Sequence, residues 1–110
     1  MIIESDHRTV GELKSRLLEQ GRGQIRSIIL YGSRARGTAV PDSDFDLLVV
    51  EAEPVSKREE MQRLRRAVSD LPYPVDVWVM GEIEFEETKN VIGGLAYPAH
   101  KYGVVLYENA

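Results

Sequence analysis

Apolar positions along the chain switch repeatedly between helical and strand periodicity. Val10, Leu13, Leu17 and Leu18 recur at intervals that place them on one face of a helix. Thr9 and Glu12 have the spacing of a capping box and set its start near Thr9, while Gly21 and Gly23 end it. IRSIILY (25–31), rich in β-branched residues and closed by Gly32, reads as a strand. Residues 33–43 hold Gly37, Thr38, Pro41 and Asp42 and predict a loop with at most a short helix. DFDLLVVE (44–51) is a second strand. Ser56 and Glu59 form another capping box, and Met61, Leu64, Val68 and Leu71 mark a helix ending near Asp70. LPYP breaks that helix, and VDVWVM (75–80) follows as a third strand. The stretch from Gly81 to Gly103 opens with acidic residues that suit a helix N-terminus, but Gly93, Gly94 and Pro98 interrupt it. VVLYE (104–108) suits a short last strand. This order predicts an α/β (α+β) fold in which helices cover a small sheet.

Composition narrows the possible functions. At 110 residues, 43% apolar and 29% charged, the sequence fits one soluble globular domain over 1–110. No apolar stretch approaches membrane-spanning length, and MIIESDHRTV lacks the basic region and apolar core of a signal peptide. Cysteine is absent, which excludes disulfides and thiolate chemistry, so a cytoplasmic location is expected. The net charge of −4 argues against broad binding of extended nucleic acid, which leans on clustered Lys and Arg. It leaves room for a single nucleotide triphosphate. Only His7 and His100 are histidines, without zinc-like spacing, which speaks against a zinc site.

The chemistry concentrates in YGSRARGTAVPDSDFDLLVV (31–50). A glycine at the end of a strand permits a tight turn whose following N–H groups can face an anion, and the Ser33 hydroxyl adds a donor. Arg34 and Arg36 would bring positive charge to the same mouth. The plain alternative is a polar turn. Asp44 and Asp46, two apart, project to the same face of the strand. Two carboxylates this close repel, and a divalent cation removes the conflict; Mg²⁺ commonly takes one or two carboxylates plus substrate phosphates. Asp42 is better read as a turn residue beside Pro41 and Ser43. Asp76 shares its strand face with Trp78 and Met80, a poor match for a solvated face. If that strand neighbours DFDLLVV, three carboxylates and a phosphate cradle meet, the equipment for two-metal displacement at phosphorus.

Gly32-Ser33, ten residues, then Asp44-Phe45-Asp46, with a later strand aspartate, resembles the signature of the DNA polymerase β-like nucleotidyltransferase superfamily. Chain length and the form GSRARG…SDFDLLVV resemble its minimal nucleotidyltransferase (MNT) branch. The resemblance implies a nucleotidyltransferase fold with a small mixed β-sheet. It implies that Gly32 and Ser33, with Arg34 and Arg36 nearby, hold the triphosphate of ATP. Asp44, Asp46 and Asp76 would bind two Mg²⁺ ions, and Asp76 would help activate the acceptor hydroxyl. At 110 residues, no primer-gripping domain is expected. Minimal MNT proteins resemble antitoxins paired with a HEPN-domain ribonuclease toxin, which implies AMP transfer to a partner tyrosine. Neutralisation by binding alone, or transfer to a small-molecule hydroxyl as in aminoglycoside nucleotidyltransferases, are the alternatives. Arg63, Arg65 and Arg66 read as a solvated helix face or a contact for an acidic partner. Tyr97, Tyr102 and Tyr107 read as packing or interface residues, one of which could border the adenine pocket.

Overall fold

The computed structural model of the chain describes residues 2–21, 23–52 and 56–109. A single turn of 3-10 helix (Glu4–Asp6) leads into α1 (His7–Gln20), followed by β1 (Ile25–Tyr31), a one-turn α2 (Ser33–Arg36) and β2 (Phe45–Glu51). Then come α3 (Lys57–Val68), β3 (Val75–Gly81), α4 (Glu82–Thr88), α5 (Ala96–Tyr102) and β4 (Val104–Glu108). The strands form a four-stranded mixed sheet in the order β3-β2-β1-β4. β1 runs antiparallel to β2 and to β4, while β2 and β3 are parallel. Parallel neighbours cannot be joined by a hairpin, and α3 is the crossover that connects them.

Helices cover both faces. On one side Val10, Leu13 and Leu17 of α1 and Leu64 and Val68 of α3 pack against Ile28, Leu30, Leu47, Val49, Val77 and Val79. On the other, Phe85 of α4 and Ala96 and Ala99 of α5 pack on Ile29, Leu48, Val50 and Met80. The continuous apolar run of β2 follows from this double burial, since a central strand alternates its side chains between two cores. Ile25 joins the first core although its number has the parity of the second face. A register shift between Ile25 and Ser27 supplies the extra residue that turns it over.

Local signals account for some element boundaries. Ser56 caps α3, its Oγ accepting from the Glu59 N–H at 3.3 Å. Pro98 sits in the first turn of α5, where its missing N–H costs no helical hydrogen bond. α3 ends two residues before the expected Asp70. The start of α1 departs from expectation. Thr9 does not cap it; the helix begins at His7, and Asp6 in the capping position makes no side-chain cap bond. The Asp6 carboxylate is committed to a tertiary partner, Arg34, whose Nη1 donates to both its oxygens at 3.3 Å.

That Arg34 contact is one arm of a buried staple. Arg34 Nε and Nη2 donate to the Ser43 carbonyl, Nη2 also donates to the Pro41 carbonyl at 3.0 Å, and the guanidinium lies 4.4 Å above the Phe45 ring. The N-terminal turn and the loop before β2 are thereby pinned to α2. No helix among the described residues is long and apolar enough to cross a membrane.

Two predictions follow from buried charge. Replacing one partner of a buried pair strands the other, so Arg34→Met is expected to lower unfolding stability by roughly 3 kcal/mol in urea denaturation. Glu51, wholly buried at the far end of β2, is pushed up to about 7, first by burial, then by the adjacent Glu60. Arg63, which pairs with Glu60, only partly offsets this. The folded state therefore binds this proton more tightly than the unfolded chain, where a glutamate has its ordinary value near 4.5. The stabilisation is complete below pH ~4.5 and is lost as pH rises to about 7. Glu51→Gln should flatten that slope and gain roughly 3 kcal/mol over the parent at pH 8, read from denaturation midpoints across pH.

Candidate active site

β1 ends, and β2 and β3 begin, at one end of the sheet. Their register there is direct: Tyr31 pairs with Asp46, and Asp46 with Asp76. The three side chains form a row across adjacent strands, on the face that α4 and α5 cover further along. β3 is thus the neighbour of β2 that the sequence required only conditionally, and it brings Asp76 level with Asp46.

The turn after β1 is built against the same carboxylate. Gly32 has φ 75° and ψ −160°, a conformation that side-chain-bearing residues rarely adopt, and a Cβ there would overlap the Asp46 carboxylate. Only glycine lets the backbone pass this close. Gly32 carbonyl oxygen accepts from the N–H groups of Ala35 and Arg36 at 3.2 and 3.3 Å, which closes α2 directly behind the turn. Ser33 is then the first residue of α2, half-buried beside the row. Gly37, in the left-handed region, ends the helix.

Asp44 is exposed, just ahead of β2, and Asp46 is half-buried. Burial pushes the Asp46 carboxyl pKa up from its ordinary value, and the charges of Asp44 and then Asp76 push it up further. Asp46 therefore feels the charge of both other carboxylates. No donor among the described residues hydrogen-bonds Asp44 or Asp46, in contrast to Asp76. Trp78 Nε1 donates to Asp76 Oδ2 at 2.8 Å, and Arg65 Nη2 stands 3.6 Å from Oδ1. Among the described residues no three acidic or histidine side chains are grouped tightly enough to hold a metal as they stand. The donor set still fits a hard divalent cation: oxygen ligands only, mutually repelling, two of them without a donor among the described residues.

Two predicted residues stand differently from the rest. Arg34 does not reach the mouth of the site; its guanidinium is spent inside the staple and is 8% exposed. Arg36, at the end of α2, is exposed. Asp42 lies in the turn before β2, as expected. Tyr31 and Arg65 are the residues the sequence reading missed as neighbours of the site. Tyr31 is held neutral well above its ordinary range, by burial first and then by Asp46 and Asp76. Its only sequence signal is its place as the last strand residue before Gly32. Arg65 sits on α3, where spacing alone described a solvated helix face.

Comparison with known proteins agrees with this geometry. Residues 10–96 match the model of the nucleotidyltransferase domain family. A relative from Methanocaldococcus jannaschii, named as a protein adenylyltransferase, is 39% identical over 46 residues. That segment covers 42% of this chain and 46% of the relative, so the chain spans about half the length of the curated relative it matches. A nucleotidyltransferase structure from Sulfolobus solfataricus superposes with a TM-score of 0.64 at 22% identity, over 96% of this chain and 86% of that one. A toxin–antitoxin structure with AMP-PNP gives 0.59 at 23% identity, over 89% and 73%. An MntA–HepT toxin–antitoxin structure gives 0.55 at 19%, over 94% and 74%. At these identities the structures establish the shared fold. Because the family match runs through the turn, both flanking strands and the third carboxylate, the chain belongs to the nucleotidyltransferase domain family.

Proposed function

We propose that residues 1–110 act as one catalytic domain that transfers AMP from ATP to a tyrosine hydroxyl of a partner HEPN ribonuclease toxin, and so serve as its antitoxin in the cytoplasm. The observation that carries the reading is the registered row Asp46–Asp76 with Gly32 packed against Asp46. It puts a tight glycine turn directly beside acidic oxygens. The partner class is supported by the toxin–antitoxin structures that share the fold, one of them with an ATP analogue.

In this reading the Gly32–Ser33 turn takes the terminal phosphates through backbone N–H groups and the Ser33 hydroxyl. Arg36 is free to approach the same phosphates, whereas Arg34 holds the loop that carries Asp44. Asp44, Asp46 and Asp76 hold two Mg²⁺ ions, which when bound would neutralise charge on the triphosphate and lower the pKa of the acceptor hydroxyl. The acceptor oxygen attacks the α-phosphorus, and the bond to the oxygen bridging to the β-phosphorus breaks. Pyrophosphate leaves, and the phenol proton passes to Asp76 or to water beside it. The product is an AMP ester of the acceptor. Tyr31, in register with Asp46, borders the acidic patch as a neutral phenol.

Mass spectrometry of a co-expressed HEPN partner is expected to show added AMP with the parent chain and none with Asp44→Asn/Asp46→Asn. A partner left unmodified by the parent chain would sink the transfer reading. Full neutralisation by the double variant would instead assign the antitoxin effect to binding alone. Modification of an aminoglycoside by the purified chain would redirect the acceptor to a small molecule. Gly32→Ala must adopt a positive φ against Asp46, a strain of about 1–3 kcal/mol. It should lose AMP transfer while retaining a cooperative unfolding transition.

A further inference from the structure

We infer that Arg65 is a positioning residue for Asp76, a resident counter-ion that a divalent cation must displace; this rests on the metal-dependent reading of the site above. The argument begins with where Arg65 comes from. α3 packs on the face opposite the carboxylate row, and β3 is an edge strand. To reach Asp76, Arg65 passes around that edge. Its Nε donates to the Val77 carbonyl at 2.8 Å, satisfying an acceptor of the edge strand, and its guanidinium lies 5.2 Å from the centre of the Trp78 ring. Nη2 is then left 3.6 Å from Asp76 Oδ1, an ion-pair contact slightly too long for a hydrogen bond.

Trp78, two residues along β3 and so on the same face, takes the other oxygen through its indole N–H at 2.8 Å. Both oxygens of Asp76 are therefore engaged along β3 and at its outer edge, whereas Asp44 and Asp46 have no donor among the described residues. Asp76 is thus held along β3 while its charge still reaches Asp46, and among the described residues no closed cluster of three ligands forms. The side chains of Arg65 and Asp76 are 43% and 42% exposed, so their attraction adds little to fold stability. The anchor on Val77 and the stack on Trp78 already fix the guanidinium, so holding its charge beside Asp76 costs little entropy. The consequence falls on the site's affinity for cations. A guanidinium at this distance competes with a divalent ion for the same carboxylate, and it sets the rest position from which Asp76 turns toward Asp46.

Trp78 is the sole tryptophan of the chain, which makes its emission a direct reporter. The 110-residue chain is titrated with Mn²⁺, binding being counted from the free-ion EPR signal while Trp78 emission is followed. Arg65→Gln is expected to lower the half-saturating Mn²⁺ concentration by about three- to tenfold. Arg65→Lys, which keeps the charge but loses the fork, should fall between the two. The effect should vanish in an Asp76→Asn background, and thermal unfolding of Arg65→Gln should match the parent. Half-saturation unchanged in Arg65→Gln, or a shift that persists in Asp76→Asn, would overturn this inference and leave the proposed transfer standing. A parent chain that binds no Mn²⁺ would overturn both.

Discussion

The parallel pairing of β2 with β3 is the constraint on which the site depends. β2 is central and buried on both faces, so its register cannot slip by one residue without exchanging the two cores. On the face that α4 and α5 cover further along, its start is left uncovered, and there Asp46 replaces an apolar side chain. Because α3 returns the chain to the same end of the sheet, β3 also starts there, and Asp76 arrives level with Asp46. A hairpin between the two strands would have run β3 in the opposite direction. The crossover helix thus does two jobs: it covers one core, and it aligns two carboxylates from distant parts of the sequence.

Charge is sorted by depth along this framework. Burial, with Asp44 and Asp76 nearby, pushes the pKa of half-buried Asp46 upward, a repulsion that a divalent cation would relieve. Asp6 and Arg34 are buried instead, and they satisfy each other and two loop carbonyls, so they brace the loop that carries Asp44. Glu51, at the opposite end of β2, is buried beside another carboxylate and has no role in the row of site residues. The same strand therefore begins with a half-buried carboxylate in the row and ends with a wholly buried one that affects stability through pH.

Single residues show how much was legible in advance. The Ser56–Glu59 cap was read from spacing and is found in the structure, because a cap is completed within one helical turn. The Thr9–Glu12 spacing was equally good and failed. Ile2 is buried in the core and Asp6 is drawn to Arg34, so α1 extends two residues further toward the N-terminus than its own sequence indicates. Arg34 and Arg36 look alike as neighbours in a loop, yet one is buried under Phe45 and the other is exposed. Arg65 had the spacing of a solvated helix face, and its contacts with Val77, Asp76 and Trp78 depend on α3 lying along the sheet edge.

The order of helices and strands, the glycine turn before Ser33 and the misfit of aspartates in apolar strands were determined by the sequence alone. Each depends on residues a few positions apart, where periodicity, backbone freedom and the cost of burying charge act directly. Which strand lies beside β2, in what register, and which arginine faces which carboxylate were decided only by the tertiary structure. Those contacts join segments separated by tens of residues, and they are selected by the joint packing of two cores, which no local pattern specifies.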